Sequence, residues 1–85
     1  MREVHIQIRF GEDGFPSPEM LDLRNQIEDF IEDGELGEIV DAGSGMGVMD
    51  IYVSVSEPDS FIATVKEFVN GLGADAATSY SIRDQ

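Results

Sequence analysis

One histidine, His5, and a row of carboxylates are the residues of this chain best suited to chemistry at neutral pH. Imidazole titrates in the range that general acid–base catalysis needs. His5 stands in the run EVHIQIRF, residues 3–10, where His5, Gln7 and Arg9 alternate with apolar residues. A catalytic histidine also needs a nucleophile within reach and a carboxylate that orients the ring. The sequence supplies no evident pair of that kind, so no catalytic residue is assigned and His5 is expected at a surface or interface. The carboxylates form the second set: Glu28-Asp29 and Glu32-Asp33 repeat four residues apart, with Glu35 and Glu38 just beyond. Hard cations prefer carboxylates and carbonyls fixed by a tightly turned loop, and this spacing belongs to a helix, so no metal or cofactor is expected. Like charges four apart on a helix cost roughly 0.2–0.5 kcal/mol per pair, and acids in a last turn oppose the helix dipole. Local helix stability therefore does not account for these residues; solubility or a cationic partner does.

The third feature is GSGMG, residues 43–47, with three glycines in five positions. A phosphate-cradling loop converges its amides at a helix N-terminus and usually has a lysine beside it. GSGMG instead runs from strand into strand between Asp41 and Asp50, and no Lys or Arg follows until Lys66. It is expected to be a hairpin turn, where glycine supplies positive φ. Met46 at its tip offers a soft apolar contact for a partner.

These features must be positioned by elements that hydrophobic periodicity outlines. Val4, Ile6, Ile8 and Phe10 alternate, which predicts a half-buried strand over 3–10. GEDGFPSP is loop. Ser17 as N-cap, Pro18 at the first helical position and apolar residues at three- and four-residue steps from Met20 to Ile31 predict a helix over about 18–33. Gly34 stands where a left-handed cap is expected. EIVDA, residues 38–42, is a short second strand; VMDIYVSV, residues 48–55, is a third with Met49, Ile51, Val53 and Val55 facing the core. Pro58 opens a second helix whose stripe comprises Phe61, Ile62, Val65, Phe68, Val69 and Leu72, and Gly71 and Gly73 end it. ADAATSYSIR, from Ala74 to Arg83, is a weaker fourth strand. The expected core is Val4, Ile6, Ile8, Ile51, Val53 and Val55 beneath Ile27, Phe30, Val65 and Phe68.

Eighty-five residues are read as a single domain, 1–85, too small for a deep cavity. Eighteen acidic against five basic residues give a formal charge of −13, which opposes binding to nucleic acid or anionic membranes. There is no cysteine, so disulfides, thiolate nucleophiles and cysteine-ligated metals are excluded. The alternating N-terminus lacks the apolar run of a signal peptide, and a cytoplasmic location is expected.

The order β-α-β-β-α-β resembles the ferredoxin-like fold over nearly the whole chain. That resemblance implies an α+β sandwich: one four-stranded antiparallel sheet in the order 4-1-3-2, with both helices on a single face. Core residues matched to core residues allow Arg9 to pair with Asp50 and Gln7 with Tyr52 across strands one and three. Functions of this superfold can be tested against the residues each requires. The cysteine pair of a metal chaperone is missing. Tyr52 alone is no RNA-stacking platform. GEDG after strand one has the wrong charge for an acylphosphatase-like phosphate loop. In position, GEDGFP suits the ligand loop of an ACT-type regulatory domain, which would act as a homo-oligomer. The GSGMG-xxDI hairpin also resembles one in small bacterial proteins near polymorphic-toxin immunity families. The leading expectation is a non-enzymatic acidic module that binds or inhibits another protein. Its contact residues would be Glu28, Asp29, Glu32, Asp33, Glu35 and Met46, or the sheet face of His5, Gln7, Arg9, Asp50 and Tyr52, which could also serve a homodimer.

Overall fold

A computed structural model of the chain describes residues 2–10, 18–45 and 47–84. In chain order it contains β1 (Arg2–Arg9), α1 (Pro18–Asp33), β2 (Glu38–Gly45), β3 (Val48–Val55), α2 (Pro58–Gly71), a short 3-10 turn (Asp75–Ala77) and β4 (Thr78–Asp84). The strands form one sheet in the order β2-β3-β1-β4, every neighbouring pair antiparallel. The expected α+β, ferredoxin-like arrangement is the one observed.

Period-two alternation decides which side chains enter the core. Val4, Ile6 and Ile8 of β1 and Met49, Ile51, Val53 and Val55 of β3 are buried together with Ile27 and Ile31 of α1 and Phe61, Val65 and Val69 of α2. Burying each such side chain contributes about 1.5–3 kcal/mol. One apolar cluster thus joins both helices to the same face of the sheet, and the alternate residues of β1 and β3 are left on the other face.

Phe30 and Phe68, expected inside with them, are only half-buried. Ile27 and Ile31 hold the centre of the α1 stripe, as Val65 and Val69 hold that of α2. Each phenylalanine precedes the second of these core positions by one residue, about 100° around the helix, and so lies at the helix seam.

Two element boundaries differ from expectation, and β2 carries a bulge. β2 continues through Ser44 to Gly45 and β3 begins at Val48, which leaves two residues of sequence between the strands, and Gly47 has φ 81°. A two-residue hairpin turn needs positive φ, and glycine adopts it without a Cβ penalty. A bulge between Ile39 and Asp41 leaves Val40 49% exposed. Ala76 and Ala77 belong to the 3-10 turn and not to β4; Thr78 Oγ1 donates to the carbonyl of Ala74 at 2.8 Å and closes that turn before the strand begins.

α1 ends as expected at Asp33, but Glu35 and not Gly34 takes the left-handed conformation, at φ 51°. The amides of Glu35 and Leu36 donate to the carbonyls of Glu32 and Ile31, the bond pair of a Schellman motif. Gly37 then brings the chain onto β3: a Cβ there would lie 2.6 Å from Val55 Cγ1 and 2.8 Å from Val53 Cγ1, inside any real contact distance.

Candidate functional site

Two regions gather the polar and charged residues singled out in the sequence. The first is the open face of the sheet. Here the register differs from the expected one: Asp50 lies opposite Gln7 and Tyr52 opposite His5, whereas Arg9 meets Val48. The observed register pairs all eight residues of β1 with all eight of β3. Arg9 opposite Asp50 would carry Arg2 and Glu3 past the end of β3 and leave part of the ladder unpaired. A two-residue slip keeps every side chain on its own face, so alternation could not distinguish the two registers.

The consequence is a compact polar cluster. His5 Nε2–H donates to Asp50 Oδ1 at 2.7 Å, and Gln7 Nε2 donates to the same oxygen at 3.4 Å. The His5 ring stacks on Tyr52 with centroids 4.4 Å apart and planes 12° from parallel. Their side chains remain accessible, 18% for His5 and 23% for Asp50. Gly43 of β2 stands opposite Asp50, and nothing lies within 4 Å of where its Cβ would be, which leaves that flank of the carboxylate open. On the far side, Ser81 and Ser79 of β4 face His5 and Gln7, and Arg83 Nη1 lies 3.9 Å from Glu3 Oε1. Chemically, the cluster is an imidazole oriented by a carboxylate; among the described residues neither serine hydrogen-bonds to the ring.

The second region is the outer surface of the helices. Arg24 of α1 sets Glu28 apart from the other carboxylates: its Nε lies 3.3 Å from Glu28 Oε1, and its Nη1 donates to the carbonyl of Gly43 at 3.4 Å. Glu28 is therefore half-buried and paired within the molecule. Asp29, Glu32, Asp33 and Glu35 are exposed, and none forms an ion pair with a described residue. Asp29, Glu32 and Asp33 lie in the C-terminal part of α1 and Glu35 just beyond it, where the partial negative charge of the helix adds to their own.

Beside them the seam between the helices is aromatic. Phe30 and Phe68 stack with centroids 4.1 Å apart and planes 5° from parallel. A hollow of about 490 Å³ adjoins the pair, lined by Gln26, Asp29, Phe30, Asp33, Gly34 and Phe68. A second, of about 280 Å³, is lined by Phe30, Thr64, Glu67 and Phe68. Apolar periodicity assigns both phenylalanines to the core; the sequence signal for their place at the seam is the offset of each from the centre of its stripe.

Met46 and the GEDGFP segment lie outside the described residues, and with them the turn-tip contact and the ligand loop of the regulatory-domain reading. Among the described residues no group of three or more His, Asp or Glu side chains is placed to hold a metal ion, and no helix is long and apolar enough to cross a membrane. Comparisons of the chain with protein-family models, with curated proteins and with solved structures return no match.

Proposed function

We propose that this protein is a non-enzymatic binding module that captures a cationic protein surface on the exposed carboxylates at the end of α1. An inhibitory role of the immunity type, in which the module neutralises a basic toxin domain, is the specific form this takes. The observation that carries the proposal is a contrast along the C-terminal part of α1 and the turn that follows it. Glu28 is compensated by Arg24, whereas Asp29, Glu32, Asp33 and Glu35 are exposed and form no ion pair with a described residue. They sit where the helix dipole and their mutual repulsion make them unfavourable to the isolated domain. A partner of opposite potential relieves that repulsion and is steered to the patch by long-range attraction.

The test compares the wild-type chain with the variant Asp29→Asn, Glu32→Gln, Asp33→Asn, Glu35→Gln as baits in a bacterial lysate at low ionic strength. The proteins held by the wild type should be basic. Their association should slow roughly tenfold or more in the variant and should lose its dependence on salt. Equal capture and equal kinetics for both baits would refute the proposal.

A further inference from the structure

We infer that the groove between α1 and α2 receives an arginine side chain of the cationic partner, its guanidinium against the Phe30–Phe68 pair and its charge met by Asp29, Asp33 and Glu67. This rests on the protein-binding reading above and specifies its chemistry. Three observations converge. The first is the aromatic pair itself, stacked at 4.1 Å yet only half-buried, so that ring surface is left uncovered at the seam of two helices. The second is the character of the rim: Asp29 and Asp33 line the larger hollow and Glu67 the smaller, and no Lys or Arg lines either. The third is spacing. Asp29 and Asp33 lie four residues apart on one helix face, where two carboxylates repel, and a cation seated in the hollow they share cancels that repulsion.

The chemistry of the groove selects its occupant. An apolar side chain would desolvate the carboxylates without compensating them. A second copy of this chain would bring another acidic surface, from a molecule of formal charge −13, against the first. Guanidinium is planar and weakly hydrated; it stacks on aromatic rings and donates in-plane hydrogen bonds to carboxylates at the same time. Ammonium is a compact, strongly hydrated charge that gains less from the rings. Arginine is also among the residues that most often dominate interface energetics.

The experiment is an NMR titration of the wild-type chain, at low ionic strength, with a capped peptide of alternating Gly and Arg and with its Gly–Lys counterpart. The Arg peptide should shift the Phe30 and Phe68 ring resonances and the amides of residues 26–34 and 64–68. It should bind about two- to fivefold more tightly than the Lys peptide, the ratio expected of an exposed cation–π contact. Phe68→Leu retains the apolar packing but removes the ring, and should abolish the preference while leaving charge attraction in place. Asp29→Asn with Asp33→Asn should weaken both peptides severalfold. Equal affinity for the two wild-type titrations, or shifts centred on the sheet face, would overturn the groove assignment and leave capture by the acidic patch standing. Failure of both peptides to bind at low ionic strength would overturn the groove and the acidic patch together.

Discussion

His5 is held from two directions: its Nε2–H by Asp50 at 2.7 Å and its ring by Tyr52 at a centroid distance of 4.4 Å. A half-buried hydrogen bond of this kind contributes about 0.5–1.5 kcal/mol, more when a charged partner takes part. Arg9 has no such tie to Asp50, because the register sets it opposite Val48. A double-mutant cycle with His5→Ala and Asp50→Ala should therefore give a coupling of about 0.5–1.5 kcal/mol in urea titrations. The corresponding cycle with Arg9→Ala and Asp50→Ala should be additive to within about 0.5 kcal/mol. Coupling to Arg9 in place of His5 would mean that β1 and β3 pair two residues out of the observed register. The same geometry shows why carboxylates of similar sequence context differ in role. Asp50 and Glu28 are each satisfied within the molecule, by His5 and by Arg24, and Asp29, Glu32 and Asp33 have no such partner among the described residues.

The two helices end alike but with different residues in the critical place. After α2, Gly73 adopts φ 79°, and its amide and that of Ala74 donate to the carbonyls of Asn70 and Val69. After α1 the same pair of bonds is closed around Glu35 at φ 51°. A residue with a Cβ pays roughly 1–2 kcal/mol for that conformation, offset in part by the smaller entropy loss of a non-glycine residue. Glu35→Gly should stabilise the domain by about 0.5–1 kcal/mol, and removing an acid from this end of the helix adds a few tenths. Chemical denaturation measures it directly; a destabilised variant would show that Glu35 makes a compensating interaction. A measured gain would support the binding role proposed for Glu35, because folding stability would not then account for an acid at this position.

For the molecule as a whole, the formal charge of −13 on 85 residues makes self-repulsion part of the folding equilibrium. Most of the described charged residues are exposed, and added salt screens them over a Debye length of about 10 Å at 0.1 M. Raising sodium chloride from about 0.02 M to about 0.5 M should therefore stabilise the fold by roughly 1 kcal/mol, a rise in Tm of about 4–8 °C for a domain of this size. Scanning calorimetry or circular dichroism across that series checks it, and a flat or falling Tm would mean that the carboxylates are compensated within the native state. The two faces of the protein differ in how far their polar and charged groups are paired among the described residues. The open sheet face carries a His–Asp–Tyr cluster whose polar groups are largely paired with one another. The helical face carries an aromatic seam rimmed by acids that form no ion pair with a described residue.

By itself the sequence determined the order of elements, the bounds of α1 and the identity of the strand residues that enter the core. Those properties depend on local periodicity and on end signals such as Pro18, which act within a few residues. Val4, Ile6, Ile8, Ile51, Val53 and Val55 are buried in any register that differs by an even number of residues, because the side-chain period is two. For the same reason periodicity could not say that His5, and not Arg9, would reach Asp50; the full eight-residue ladder between β1 and β3 decided that. Nor could a stripe of apolar residues say where its edge would fall. Phe30 and Phe68 are left half-buried at the seam because Ile27, Ile31, Val65 and Val69 fill the space between the helices and the sheet. Glu35 likewise takes its left-handed turn because Leu36 must fold back toward the core and Gly37 must press against β3, a demand that arises only once the sheet is in place.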